Sequence, residues 1–136
     1  MASRNNIVLA LENEPVCVVS SFADIAETLG RKSQDGLQLW LDLGNLFEAE
    51  GNNLSRLTEI VPHAVYVQVK DYCRRDGGKA FCPAGQGEVP YAEMLRVLFA
   101  VGRPRTIAVE THVLDEPAQA IRQSVEFLGK AIGSLG

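Results

Sequence analysis

Residues 37–42 read Leu37-Gln38-Leu39-Trp40-Leu41-Asp42, with leucine at every odd position and a polar or aromatic residue at every even one. Strand side chains alternate between faces with period two, so this hexapeptide predicts a strand with one aliphatic and one mixed surface. The split recurs three times. With Glu12 as reference for the mixed face, Val8 and Ala10 join it in residues 7–12, and Leu9 and Leu11 oppose it. In residues 65–70, Tyr66, Gln68 and Lys70 stand against Val65, Val67 and Val69. In residues 106–110, Thr106, Ala108 and Glu110 stand against Ile107 and Val109.

Segments of helical periodicity separate these strands. Phe22, Ile25, Ala26 and Leu29 fall at i, i+3, i+4 and i+7 behind a Ser21/Asp24 capping-box start, with Gly30 as a stop. Leu54, Leu57, Ile60 and Val61 share a face that ends before Pro62; Tyr91, Met94, Leu95 and Leu98 share another, ending at Gly102 and Pro104. The last segment starts with Pro117 in its first turn and carries Ile121, Val125, Leu128 and Ile132. Residues 72–90 read as a long strand-to-helix loop.

The order βαβαβαβα predicts a parallel sheet in a single α/β domain over residues 1–136. Right-handed crossovers between neighbouring strands put every helix on the aliphatic face and leave the mixed face lining the inside of a curved sheet. This is a (βα)4 half of a TIM barrel. A complete barrel needs eight strands and about 250 residues, and a half leaves two unpaired parallel edges. The expectation is a homodimer that completes the barrel, its two-fold axis along the barrel axis. An open sandwich of two halves, or a separate chain supplying the rest, is the alternative.

Composition excludes several classes. The formal charge is −4, and Lys and Arg form no run longer than two, so no basic stripe marks a nucleic-acid surface. Three cysteines, Cys17, Cys73 and Cys82, are odd in number and fit no zinc spacing; reduced thiols in a cytoplasmic protein are expected. The apolar stretch 7–11 is too short for a secretory core or a membrane span.

Glu12, Asp42, Gln68 and Glu110 sit at or near strand carboxyl ends on the mixed face, where barrels build their active sites. Three carboxylates in one pocket repel unless a cation or protons intervene. Oxygen donors without cysteine suit Mg²⁺ or Mn²⁺ better than a structural zinc. Each residue also has a structural reading. Asp42 before Gly44-Asn45 can shape a turn, Gln68 can bond a neighbour, and Lys70 can pair with a carboxylate in place of a metal. Gly85 and Gly87 read as turn chemistry, and Trp40 and Tyr66 as filling of the barrel or the dimer interface.

In chain order, Leu11-Glu12-Asn13, Leu41-Asp42-Leu43-Gly44-Asn45, Val67-Gln68-Val69-Lys70-Asp71, Gly85-Gln86-Gly87-Glu88-Val89-Pro90-Tyr91 and Val109-Glu110-Thr111-His112 resemble the second half of the xylose-isomerase-like barrels. That superfamily holds sugar-phosphate isomerases and epimerases, dehydratases and the endonuclease IV fold. The resemblance implies that Glu12, Asp42, Gln68 and Glu110 occupy its four metal-ligand positions, with Gln68 where histidine is usual. It implies a metal-dependent isomerase or epimerase of a small sugar, sugar phosphate or hydroxy-keto acid, acting through an enediolate. Glu12 and Glu110 would be its acid and base, and Lys70 and His112 would contact substrate. The competing reading is an inactive half-barrel, a truncated or recombined gene product that dimerises and at most binds a ligand. A dehydratase or DNA-repair nuclease of the same superfamily is a third reading, and the acidic balance weighs against the nuclease.

Overall fold

The structure, a computed structural model, describes residues 5, 7–32, 36–102 and 104–135, with the side chain of residue 32 left out. Four strands, β1 (Leu9–Glu12), β2 (Leu37–Asp42), β3 (Ala64–Val69) and β6 (Ile107–Val109), form one sheet in the order β1-β2-β3-β6. Every pairing is parallel, and each strand lies beside its predecessor in the sheet. This is the half-barrel that the alternation predicts.

The parity holds in the packing. Leu39, Leu41, Val67 and Val69 are at most 1% exposed, beneath Leu57, Ile60, Leu95 and Leu98 of the covering helices. α1 (Phe22–Lys32) starts as its sequence predicts. The Asp24 amide donates to Ser21 Oγ at 3.2 Å, and Asp24 Oδ2 accepts from the Ser21 amide at 2.9 Å, so two end donors are satisfied reciprocally. α3 (Leu54–Ile60) gives way at Pro62 to a 3₁₀ turn, Val61–His63, which places His63 at the surface. α4 (Tyr91–Val101) and α5 (Pro117–Gly133) complete the layer. No helix among the described residues is long and apolar enough to cross a membrane.

Two elements correct the sequence reading. The residues after Asp42, to which the sequence reading gave no element, form a helix, α2 (Leu43–Glu50), with Asp42 as its N-cap: Asp42 Oδ1 accepts from the Asn45 amide at 2.7 Å. Leu43 and Leu46 supply its buried face. The stretch read as a long loop contains a hairpin, β4 (Asp71–Arg75) with β5 (Gly78–Cys82). Its two-residue turn is Asp76-Gly77, both with positive φ (50° and 78°), the geometry that suits the twist of an antiparallel pair.

Candidate active site

The strand ends deliver Asp42 from β2, Lys70 just past β3 and Glu110 just past β6 to one place. Lys70 Nζ lies 2.9 Å from Glu110 Oε2 and 3.4 Å from Asp42 Oδ2. The lysine side chain is 11% exposed, Asp42 fully buried and Glu110 36% exposed, so the cluster runs from the protein interior to its mouth. His112 Nε2 stands 3.4 Å from Glu110 Oε2, and its ring stacks on Phe81 at 4.6 Å between centroids. Strand β5 of the hairpin thus supports a residue that the resemblance puts near substrate.

Backbone supports fix these side chains. Asn13, fully buried, donates through Nδ2 to the Asp42 carbonyl and accepts at Oδ1 from the Asp42 amide, at 3.0 and 2.9 Å. It extends the β1–β2 pairing by one side chain beyond the last ladder residue. The Tyr91 hydroxyl donates to the Lys70 carbonyl at 2.5 Å and accepts from the Lys70 amide at 3.0 Å. Gly44 lets the Lys70 backbone approach, because a Cβ there would lie 2.5 Å from the Lys70 carbonyl oxygen. Trp40 Nε1 donates to Gln68 Oε1 at 2.9 Å, and the indole meets Tyr66 edge-on at 4.7 Å.

The four ionisable groups influence one another in opposite directions. Burial pushes Asp42 up to about 6, against the pull of the Asn45 amide and Lys70. Burial also raises Glu12; Lys70 opposes that rise, while Glu110 and Glu14 add to it. Glu110 moves the other way. Burial works to raise it, but the Lys70 hydrogen bond and charge, a Gln68 hydrogen bond and His112 together hold it below its ordinary value. Lys70 is held above its usual value: burial works against its charge, and Asp42 and Glu110 outweigh that. Burial raises the Cys82 thiol to about 12.

Sequence reasoning missed Asp71. Its carboxylate, 2% exposed, accepts four backbone N–H groups, from Tyr72, Gly85, Gly87 and Val89, at 2.9 to 3.2 Å. Gly87 has to be glycine, because a Cβ there would sit 2.1 Å from Asp71 Oδ1. The Gly85–Gly87 pair is turn structure, gathered around a side chain 14 and 16 residues earlier.

The donor types fit a hard divalent cation. Glu12, Asp42 and Glu110 offer carboxylates and Gln68 an amide oxygen, and Asp42 Oδ2 is buried without a hydrogen-bond donor among the described residues. Lys70 stands between two of the carboxylates, and Gln68 Oε1 is engaged by Trp40. In this arrangement no three His, Cys, Asp or Glu side chains among the described residues converge at ligating positions.

A family model described as a xylose isomerase-like TIM barrel matches residues 1–131. No curated protein matches the sequence. Among solved structures, the IOLI protein with a binding zinc atom superposes with a TM-score of 0.79 at 21% identity, over 99% of this chain and 52% of that one. A xylose isomerase-like TIM barrel protein from Mycobacterium smegmatis in complex with magnesium gives 0.79 and 21%, over 99% and 47%. The 3-keto-D-glucoside 4-epimerase YcjR of E. coli, in its apo form, gives 0.73 and 20%, over 95% and 48%. The chain therefore spans about half the length of the solved structures it resembles.

Proposed function

We propose, from the premise that this chain belongs to the xylose isomerase-like TIM barrel family, that it carries a proton-transfer site for isomerising or epimerising a small sugar, sugar phosphate or hydroxy-keto acid. One observation carries the reading: the strand ends bring Glu110 and Asp42 to 2.9 and 3.4 Å from Lys70 Nζ, and around that ammonium burial raises Glu12 while Lys70 holds Glu110 lower. Carboxylates whose surroundings push them in opposite directions suit the roles of acid and base. Glu110, held ionised, removes the proton beside the substrate carbonyl, and Glu12, more readily protonated, returns one to carbon. Lys70 brings its ammonium to the oxyanion or to a substrate phosphate, and His112 contacts substrate at the mouth.

The epimerase among the solved neighbours supports this class, and the neighbours crystallised with zinc and magnesium support a metal. Glu12, Asp42, Gln68 and Glu110 would hold it, Mn²⁺ or Mg²⁺ ahead of Zn²⁺, and when bound it supplies positive charge to the enediolate. Binding it requires Lys70 to release Asp42 and Trp40 to release Gln68.

Exchange of substrate carbon-bound hydrogen with D₂O, followed by NMR over a panel of ketoses and hydroxy-keto acids with Mn²⁺ or Mg²⁺, tests the proposal. Exchange is expected with at least one compound, falling by roughly 10²-fold or more in Glu110→Gln. A second reading, an inactive half-barrel, is favoured by the Lys70 ion pairs, which neutralise Asp42 and Glu110 from within the chain. Absence of exchange across the panel, with metal binding equal in wild type and Glu110→Gln, selects it.

A further inference from the structure

We infer, resting on the cation site proposed above, that Trp40 locks the Gln68 amide with its N–H end toward Glu110, so that Gln68 positions that carboxylate and joins a cation only after the indole lets go. Trp40 precedes Asp42 by two residues on the mixed face of β2, and its register partners are Glu12 on β1 and Tyr66 on β3. Gln68 is the register partner of Asp42 itself. The indole therefore sits one step below the strand-end cluster, between two of the strands that build it. Tyr66 meets the indole edge-on at 4.7 Å between centroids, which holds the plane of the ring. From that position Nε1 donates to Gln68 Oε1 at 2.9 Å. Gln68 is 7% exposed, so its amide takes its partners from the protein rather than from bulk water.

An indole N–H can only donate, whereas a side-chain amide has an accepting end and a donating end. The bond to Trp40 thus decides which end of Gln68 points where. With the oxygen turned to the indole, the NH2 group is left for Glu110, whose carboxylate accepts a hydrogen bond from Gln68. Gln68 then serves Glu110 as Lys70 does, with a donor, while the ammonium lies 2.9 Å from the same carboxylate. A cation placed between Gln68 and Glu110 would meet N–H hydrogens instead of a lone pair. Turning the amide over would offer it the oxygen, but would also set NH2 against the indole N–H, two donors with no acceptor between them in a buried place. Trp40 is therefore a positioning residue that acts through Gln68. It is the single tryptophan of the chain, so the lock carries its own reporter.

Mn²⁺ affinity, read from the electron paramagnetic resonance of the free ion, tests this in wild type, Trp40→Phe, Gln68→Leu and the double variant. Phenylalanine keeps a ring against Tyr66 and removes the N–H. Trp40→Phe is expected to bind Mn²⁺ roughly fivefold more tightly than wild type, the contribution of one neutral hydrogen bond. The gain should vanish once Gln68→Leu is added, because it acts through the amide oxygen. Circular dichroism checks that each variant keeps its helices, and a second measurement needs no variant. The one indole N–H cross-peak in a ¹H–¹⁵N spectrum of the wild-type chain is expected to move upfield as Mg²⁺ saturates it, since its hydrogen bond is then lost. Equal or weaker Mn²⁺ binding in Trp40→Phe overturns the proposal and leaves the cation site standing. So does a gain that survives Gln68→Leu, or an indole peak that stays in place at saturating Mg²⁺. Absence of Mn²⁺ binding in both wild type and Trp40→Phe sinks the cation site, and the lock falls with it.

Discussion

Asp42 and Asp71 are both buried carboxylates at strand ends, and they are treated in opposite ways. Asp71 accepts four backbone N–H groups and leaves neither oxygen idle. Asp42 accepts one, caps a helix with it, and turns its other oxygen toward an ammonium 3.4 Å away with no hydrogen bond made to it among the described residues. A satisfied buried charge organises backbone; an under-satisfied one is held in place by its surroundings at a cost to stability. The difference separates a carboxylate that builds the loop from one that is available to chemistry.

The sharpest way to break the comparison is Asp71→Ala. It strands four backbone donors, those of Tyr72 and Val89 buried, and a loss of about 3–5 kcal/mol is expected in denaturant unfolding, with the 83–90 loop losing its order. A cost under about 1 kcal/mol would mean that the loop holds itself.

Asp42→Asn is expected to act with the opposite sign. The amide keeps the helix cap and removes the buried charge. Asp42 titrates near 6 in the fold against 3.8 as its ordinary value, so the folded state binds more protons between those values and wild type loses stability as pH rises through them. With chelator present, the variant lacks that loss and gains up to about 3 kcal/mol above pH 7. Thermal unfolding of both proteins from pH 4 to 8 checks it. Added Mn²⁺ should reverse the order if Asp42 ligates, since only the aspartate then gains a partner.

Tyr72→Phe carries the smallest effect and tests whether an idle oxygen matters without charge. The Tyr72 hydroxyl is buried with no partner among the described residues, and burial lifts it to about 12. Its removal is expected to leave stability unchanged or to raise it by about 1 kcal/mol in the same assay.

The parity of the strands was legible because one buried face imposes it residue by residue, from Leu39 and Leu41 to Val67 and Val69. So were the strand-end positions of Asp42, Lys70 and Glu110, since parity and the direction of a parallel sheet together fix them. What stayed hidden was helix α2, whose Leu43, Leu46 and Phe47 follow a residue that suits a turn and an N-cap equally. The hairpin had a signal in Asp76-Gly77 between Tyr72 and Phe81, but its strands lack the strict alternation of the main sheet. The role of Asp71 was not legible at all: its partners are backbone amides up to 18 residues away, and no side-chain pattern announces them.

The Tyr91 hydroxyl closes a gap that the change from barrel strand to hairpin would otherwise open. Lys70 belongs to neither ladder, yet both of its peptide groups are engaged by one phenol from the first residue of α4. Where a chain leaves one sheet for another, solvent ordinarily enters and the local amides exchange their protons within moments. Here that doorway is bolted from the start of a helix, so the peptide carrying the ammonium keeps its place.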